Sequence, residues 1–324
     1  MTRVAAIDCG TNSIRLLIAD LDGHGGLRDV VRTRELVRLG EGVDRTGRFS
    51  KGALERTIAA TRSYAELIRE HGAERVRFVA TSATRDAANR AEFTDAIYAI
   101  LGVPAEVIPG TEEAALSFRG ALTALAKTDA SAAPARYLVI DLGGGSTELV
   151  LGTDAPDSAY SMDVGCVRLT ERNVHSDPPL EAELASIRHD VNAALDAASG
   201  AVELSRATEV IGVAGTITTV TAHALGLESY EPLVISGSRL PLADVLRSCD
   251  ALSRMPRAER AALPYMHPGR VDVIGTGAVI WSTVLRRVAD AMASAGRPLE
   301  SVTTSEHDIL DGAALSLAPD EATS

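Results

Sequence analysis

The chain has 324 residues, 46% hydrophobic and 23% charged, which is the composition of folded domains and more length than one core usually fills, so two domains are expected. A net charge of −12 and an aromatic content of 3% exclude a general basic footprint for nucleic acid and a base-stacking platform, so an anionic ligand must be met by a local group of arginines. Cys9, Cys166 and Cys249 are too few and scattered for a disulfide framework or a zinc site, and no apolar run could cross a membrane uninterrupted; the expectation is a soluble cytoplasmic protein.

In chain order, two apolar strands flank a turn in VAAIDCGTNSIRLLIAD (residues 4–20), and a third apolar stretch follows near residues 29–39. Leu54, Ile58, Thr61, Ala65 and Ile68 recur at alternating steps of four and three, which predicts a helix over 51–70 with Ser50 as N-cap and Gly72 as its stop. A strand at 76–80, a helix ending near Leu101, a strand at 105–108 and a helix from Thr111 complete the first half. Residues 127–136, KTDASAAPAR, are small and polar and read as a linker. The order then begins again: strands flank the turn of YLVIDLGGGSTELVLG (residues 137–152), a third ends near Val164, a helix covers 180–198, a strand covers 209–213, and further helices follow. The reading is α/β, one fold used twice with a cleft between the halves: a first domain over 1–126 and a second over 136–302.

The turns carry the chemistry. Asp8 matches Asp141, Gly10 matches Gly143 and Ser13 matches Ser146 at a constant offset of 133 positions. Glycines between two strands let the backbone approach a ligand closely, and successive amides can then converge on phosphate oxygens. Thr11, Asn12 and Ser13 in the first turn, and Gly144, Gly145, Ser146 and Thr147 in the second, add amide and hydroxyl donors. An aspartate closing the incoming strand can hold a magnesium ion against those phosphates. A plain hairpin turn would explain one such segment, but it need not repeat its aspartate, glycine and serine in register.

DCGTNSIRLLI and DLGGGSTELVLG resemble the two phosphate-binding loops of the superfamily of sugar kinases, heat-shock chaperones and actin. With VATSATRDAANR, VIPGTEEA, MDVGCVRLTE, GVAGTITT, RVDVIGTGAVI and SEHDILDGA in order, nearly the whole chain is similar to the exopolyphosphatase and guanosine pentaphosphate phosphohydrolase family. The resemblance implies duplicated actin-like (ribonuclease H-like) domains around a phosphate-binding cleft. It also implies a last helix, from Glu306, that packs back on the first domain; closure of the domains about crossings at 127–136 and 301–305 would then gate the cleft.

The resemblance makes Glu113 the candidate general base and Glu112 its structural twin, although glutamates opening a helix are also favoured by the macrodipole alone. Arg85 matches the phosphate-contacting arginine, Asp141 is catalytic as well as metal-binding, and Glu148 and Asp8 complete the metal carboxylates. Arg15 stands in the first turn where Glu148 stands in the second; Arg38, Arg119 and Arg168 are further candidates for a phosphate track. His307–Asp308 spells the dipeptide of metal-dependent phosphohydrolase domains, but only 16 residues follow it, so it reads as the start of the last helix; His175 and His267 lack metal-ligand spacing.

The implied activity is release of terminal orthophosphate from inorganic polyphosphate, with Mg2+ or another divalent ion and a K+ requirement left open. The partners are polyphosphate or guanosine pentaphosphate, with no nucleic acid and no membrane, in a homodimer. Hydrolysis of guanosine pentaphosphate, an actin-like kinase or ATPase, and a non-catalytic phosphate sensor are the alternatives; GVAGTITT weighs against the kinase, and the presence of Glu113 and Asp141 against the sensor.

Overall fold

The structure is a computed structural model, described here for residues 2–22, 26–123 and 135–318. Residues 127–134 of the expected linker and 319–324 of the last helix lie outside the described residues. The chain divides into two compact units, Met1–Thr123 with Ile309–Ser324, and Ala124–Asp308.

Unit 1 runs β1 (Thr2–Cys9), β2 (Ser13–Leu21), β3 (Leu27–Leu36), α1 (Val43–Thr46), α2 (Lys51–Glu70), β4 (Arg75–Ala80), α3 (Ser82–Asp86), α4 (Arg90–Leu101), β5 (Ala105–Val107) and α5 (Gly110–Thr123). Unit 2 runs β6 (Tyr137–Leu142), β7 (Thr147–Gly152), β8 (Pro156–Met162), α6 (Cys166–Asn173), α7 (Glu181–Ala198), β9 (Glu209–Val213), α8 (Gly215–Ala224), α9 (Pro232–Ile235), β10 (Arg239–Pro241), α10 (Leu242–Arg254), α11 (Arg257–Ala262), α12 (Ile274–Ser294) and β11 (Ser301–Thr304). The last helix, α13 (Ile309–Leu315), belongs to unit 1.

The sheets are ordered β3-β2-β1-β4-β5 and, in unit 2, β8-β7-β6-β9-β11-β10. In each, three antiparallel strands are followed by two parallel to the first, and in unit 2 the edge strand β10 is added antiparallel to β11. This is the actin-like, ribonuclease H-like order, used twice.

Helix α2 begins and ends where its sequence signals put it, with the Ser50 hydroxyl accepting from the Ala53 amide at 3.2 Å and Gly72 at φ 64°. Its buried face is wider than the periodicity shows, because Thr57 and Tyr64 join Thr61 there. These stay inside at little cost because each hydroxyl is satisfied: Thr57 on the Ala53 carbonyl, Thr61 on Thr57, and Tyr64 on Ile14 at 3.0 Å.

Alternation along β1 and β2 sorts the two faces of the first sheet. Ala5, Ile7, Ile14, Leu16 and Ile18 pack with Leu54, Tyr64, Phe93 and Ile97 of α2 and α4. Val4, Ala6, Leu17 and Ala19 pack with Leu116 of α5 and with Ile309, Leu310 and Ala313 of α13.

Residues 301–304 are a strand rather than a crossing, a β-branched run too short to show a period, with Val302 and Thr304 buried. The last helix starts at Ile309, three residues later than expected, because the Ser305 hydroxyl accepts from the His307 amide and holds that stretch in a turn; His307 and Asp308 therefore precede the helix.

Helix α13 is tied down by a buried ion pair. Asp311 is 1% exposed and accepts from Arg32 of β3 at 2.5 and 3.2 Å. Arg32→Met is expected to cost about 3 kcal/mol by taking the Arg32 cation away from that buried carboxylate, and the double variant with Asp311→Leu to recover most of the loss. Urea unfolding of the three proteins checks this.

Candidate active site

The offset between the two turns is kept in space. Asp8 pairs across its hairpin with Arg15, and Asp141 pairs across its own with Glu148. In both turns the first glycine amide donates to the serine carbonyl at 3.0 Å, Gly10 to Ser13 and Gly143 to Ser146. In the first turn, the Thr11 and Asn12 carbonyls are held by the amides of Gly40, Val37 and Arg38. In the second, the amides of Gly144, Gly145 and Ser146 find no acceptor among the described residues. Three successive donors left over at the end of a strand fit an anion.

Unit 1 gathers a charged group where β1 and β4 end, the edge at which ligands bind in α/β sheets. Arg15 donates to one Asp8 oxygen from Nε and Nη2, at 3.0 and 2.7 Å. Arg85, closing α3, donates from Nη1 to Glu113 at 2.6 Å and to the Ile108 carbonyl at 3.1 Å. Glu113 stands in the first turn of α5 and is 8% exposed. Burial pushes its carboxyl up to about 7, against the pull of Arg85 and the Thr81 hydroxyl and with help from the Asp8 charge. Glu112, its neighbour, turns to Arg77 at 2.5 Å instead.

A carboxyl that titrates near neutrality beside a fixed cation is suited to taking and returning a proton. The same shift makes a stability prediction. Since the folded pKa is raised from 4.5, the Glu113 contribution is fully present below that value and is lost as pH rises through about 7. Glu113→Gln lacks this term. Its stability relative to the parent chain should therefore rise by roughly 3 kcal/mol between pH 4 and pH 8, as read by urea unfolding at each pH.

Unit 2 brings Asp141 and Glu148 together on one face, 6% and 1% exposed, with the Ser161 hydroxyl donating to Glu148 at 2.7 Å. Two adjacent buried carboxylates fit Mg2+, which takes one or two such ligands and completes its shell with water and phosphate oxygens. Among the described residues no group of three His, Cys, Asp or Glu side chains forms, and Asp8 belongs to unit 1, held by Arg15. Thr147 faces the core and gives its hydroxyl to the Val164 carbonyl at 2.6 Å. Of the outlying arginines, Arg119 is exposed on α5, while Arg38 adopts φ 48° and donates its amide to the first turn. His267 accepts from the Gly269 amide and His175 is exposed.

Sequence reasoning passed over a second group in unit 2. Arg270 lies over the Tyr230 ring, 5.7 Å from its centroid, and donates to the Thr219 hydroxyl at 2.7 Å. The Tyr230 hydroxyl bridges Thr218 at 2.7 Å and Glu306 at 2.5 Å. GVAGTITT, with Thr218 and Thr219, and RVDVIGTGAVI, with Arg270, were the signal, yet nothing in them shows that Arg270 closes on Tyr230, which lies outside both. Thr81, beside Glu113, was missed for a similar reason, because nothing in TSATR ranks one hydroxyl above another.

The profile of the Ppx/GppA phosphatase family matches residues 17–297. The chain is 52% identical to Exopolyphosphatase 2 of Mycobacterium tuberculosis, covering 98% of this chain and 99% of that one. Among solved structures, an exopolyphosphatase-like protein is 49% identical with a TM-score of 0.93, covering 98% and 99% of the two chains. A Ppx/GppA family member from Aquifex aeolicus is 28% identical with a TM-score of 0.78, covering 100% and 99%. With its paired turns and its motifs in order along almost the whole length, the chain belongs to the Ppx/GppA phosphatase family.

Proposed function

We propose that this protein is an exopolyphosphatase that releases orthophosphate from the end of inorganic polyphosphate by attack of water on the terminal phosphorus. The observation that carries this reading is Glu113, a buried carboxyl raised to about 7 and held by Arg85, in a chain 52% identical to a protein named exopolyphosphatase.

In this reading Glu113 takes a proton from the attacking water as the new P–O bond forms, and the P–O bond to the rest of the chain breaks in line. Arg85 fixes the Glu113 carboxylate, and its guanidinium places positive charge beside the reacting phosphoryl group. The amides of Gly144, Gly145 and Ser146 hold phosphate oxygens. Asp141 and Glu148 hold Mg2+, which when bound neutralises charge on the phosphate oxygens. A chain of net charge −12 binds such a polyanion only where donors of this kind are concentrated.

The test is orthophosphate release from short polyphosphate, long polyphosphate, guanosine pentaphosphate and ATP, before and after metal removal with EDTA and with Mg2+ restored. Release from polyphosphate that EDTA abolishes and Mg2+ restores supports the reading; release from guanosine pentaphosphate alone replaces the substrate. Parallel assays in K+ and Na+ buffers and sedimentation of the purified chain read the monovalent ion and the expected homodimer.

A further inference from the structure

We infer that Arg168 is a positioning residue, which sets the second turn so that its amides, rather than its carbonyls, face the anion. This rests on the reading of that turn as a phosphate cradle. A glycine-rich turn has no side chains to fix its peptide planes, so something outside it must choose which way each peptide points. Here the choice is made by α6. The Gly143 carbonyl accepts from the Cys166 amide at 3.1 Å, and the Gly144 carbonyl accepts from Val167 and Arg168 at 2.8 and 3.1 Å. The Gly145 carbonyl accepts from Arg168 Nε at 2.7 Å.

The first-turn amides of α6 and one guanidinium N–H are thus spent on three consecutive carbonyls, a geometry that points the intervening N–H groups away from α6. The last of these bonds is made by a side chain. Arg168, read in the sequence as a direct contact on a phosphate track, acts here through Gly145.

The packing behind the bond allows little play. A Cβ on Gly165 would stand 2.3 Å from the Gly144 oxygen and 2.5 Å from the Gly145 carbonyl carbon, so only glycine lets α6 approach this closely. Farther along α6, the Thr170 hydroxyl donates back to the Cys166 carbonyl at 2.6 Å and lies 2.7 Å from the Thr276 hydroxyl at the start of α12. Helix α6 is therefore keyed to a long buried helix on one side and to the turn on the other.

The experiment is 15N amide NMR of Gly144, Gly145 and Ser146 with added inorganic phosphate, together with steady-state kinetics on polyphosphate, for the parent chain, Arg168→Gln, Arg168→Lys and Gly165→Ala. The expected result is phosphate-dependent shifts of those amides in the parent chain and their loss in Arg168→Gln and Gly165→Ala. For Arg168→Gln and Arg168→Lys, KM should rise about tenfold or more with the same dependence on ionic strength as the parent. Lysine should fail to rescue, since it lacks a planar N–H at the Nε position.

Phosphate shifts that persist in Arg168→Gln would overturn the inference. So would rescue by lysine with a shallower salt dependence in Arg168→Gln, which would make Arg168 a charge on the substrate. Amides that ignore phosphate in the parent chain would remove the cradle reading and this inference with it.

Discussion

Glu113→Gln is expected to lower kcat for polyphosphate by about 10²–10⁴ while leaving polyphosphate binding within a few fold. The amide keeps the shape of the carboxyl and can still accept from Arg85, but it cannot take a proton from water. The pH profile gives the prediction its mechanism. In the parent chain kcat/KM should climb with pH through a midpoint near 7, because the base must be ionised and burial holds its carboxyl up to about 7. Arg85 pulls that value down, so Arg85→Met should move the midpoint to higher pH in addition to lowering the rate. A Glu113→Gln enzyme with near-parental kcat would remove Glu113 from the chemistry.

Asp141→Asn is expected to lower kcat/KM by about a hundredfold or more and to abolish Mg2+ binding measured by calorimetry without substrate. Stability should move the other way. Asp141 and Glu148 are adjacent, buried and of like charge, so neutralising one relieves repulsion, and the melting temperature without metal should stay level or rise. Unchanged Mg2+ binding in Asp141→Asn would show that the metal is held elsewhere. A large fall in melting temperature would show that Asp141 is structural.

How far these groups were legible follows from how local each signal is. The turns were readable because a strand-turn-strand segment carries its own chemistry and recurs at a fixed offset. Helix α2 was readable from its cap, its stop and its period, although Thr57 and Tyr64 joined its buried face through hydroxyl bonds that a count of apolar residues does not see. Strand β11 was not readable: four residues hold no period, and their place beside β9 is reached only after five intervening helices.

Among site residues, identity was legible and partnership was not. Arg15, Arg85 and Arg168 look alike in sequence as phosphate-seeking arginines. In space Arg15 closes on Asp8, Arg85 on Glu113, and Arg168 on a glycine carbonyl, which gives the three different work to do. Those bonds join residues 7, 28 and 23 positions apart along the chain, distances that only the fold closes.

The ionisation of Glu113 itself is the most direct test of the account. Isotope-edited infrared spectra of chain carrying 13C-glutamate, taken against Glu113→Gln across pH 4 to 9, isolate this one carboxyl. The account predicts a protonated carboxyl band that disappears with a midpoint near 7 and shifts upward in Arg85→Met. A carboxylate already formed below pH 5 would contradict it, leaving Glu113 as an ordinary salt-bridged side chain with no proton to trade at neutral pH.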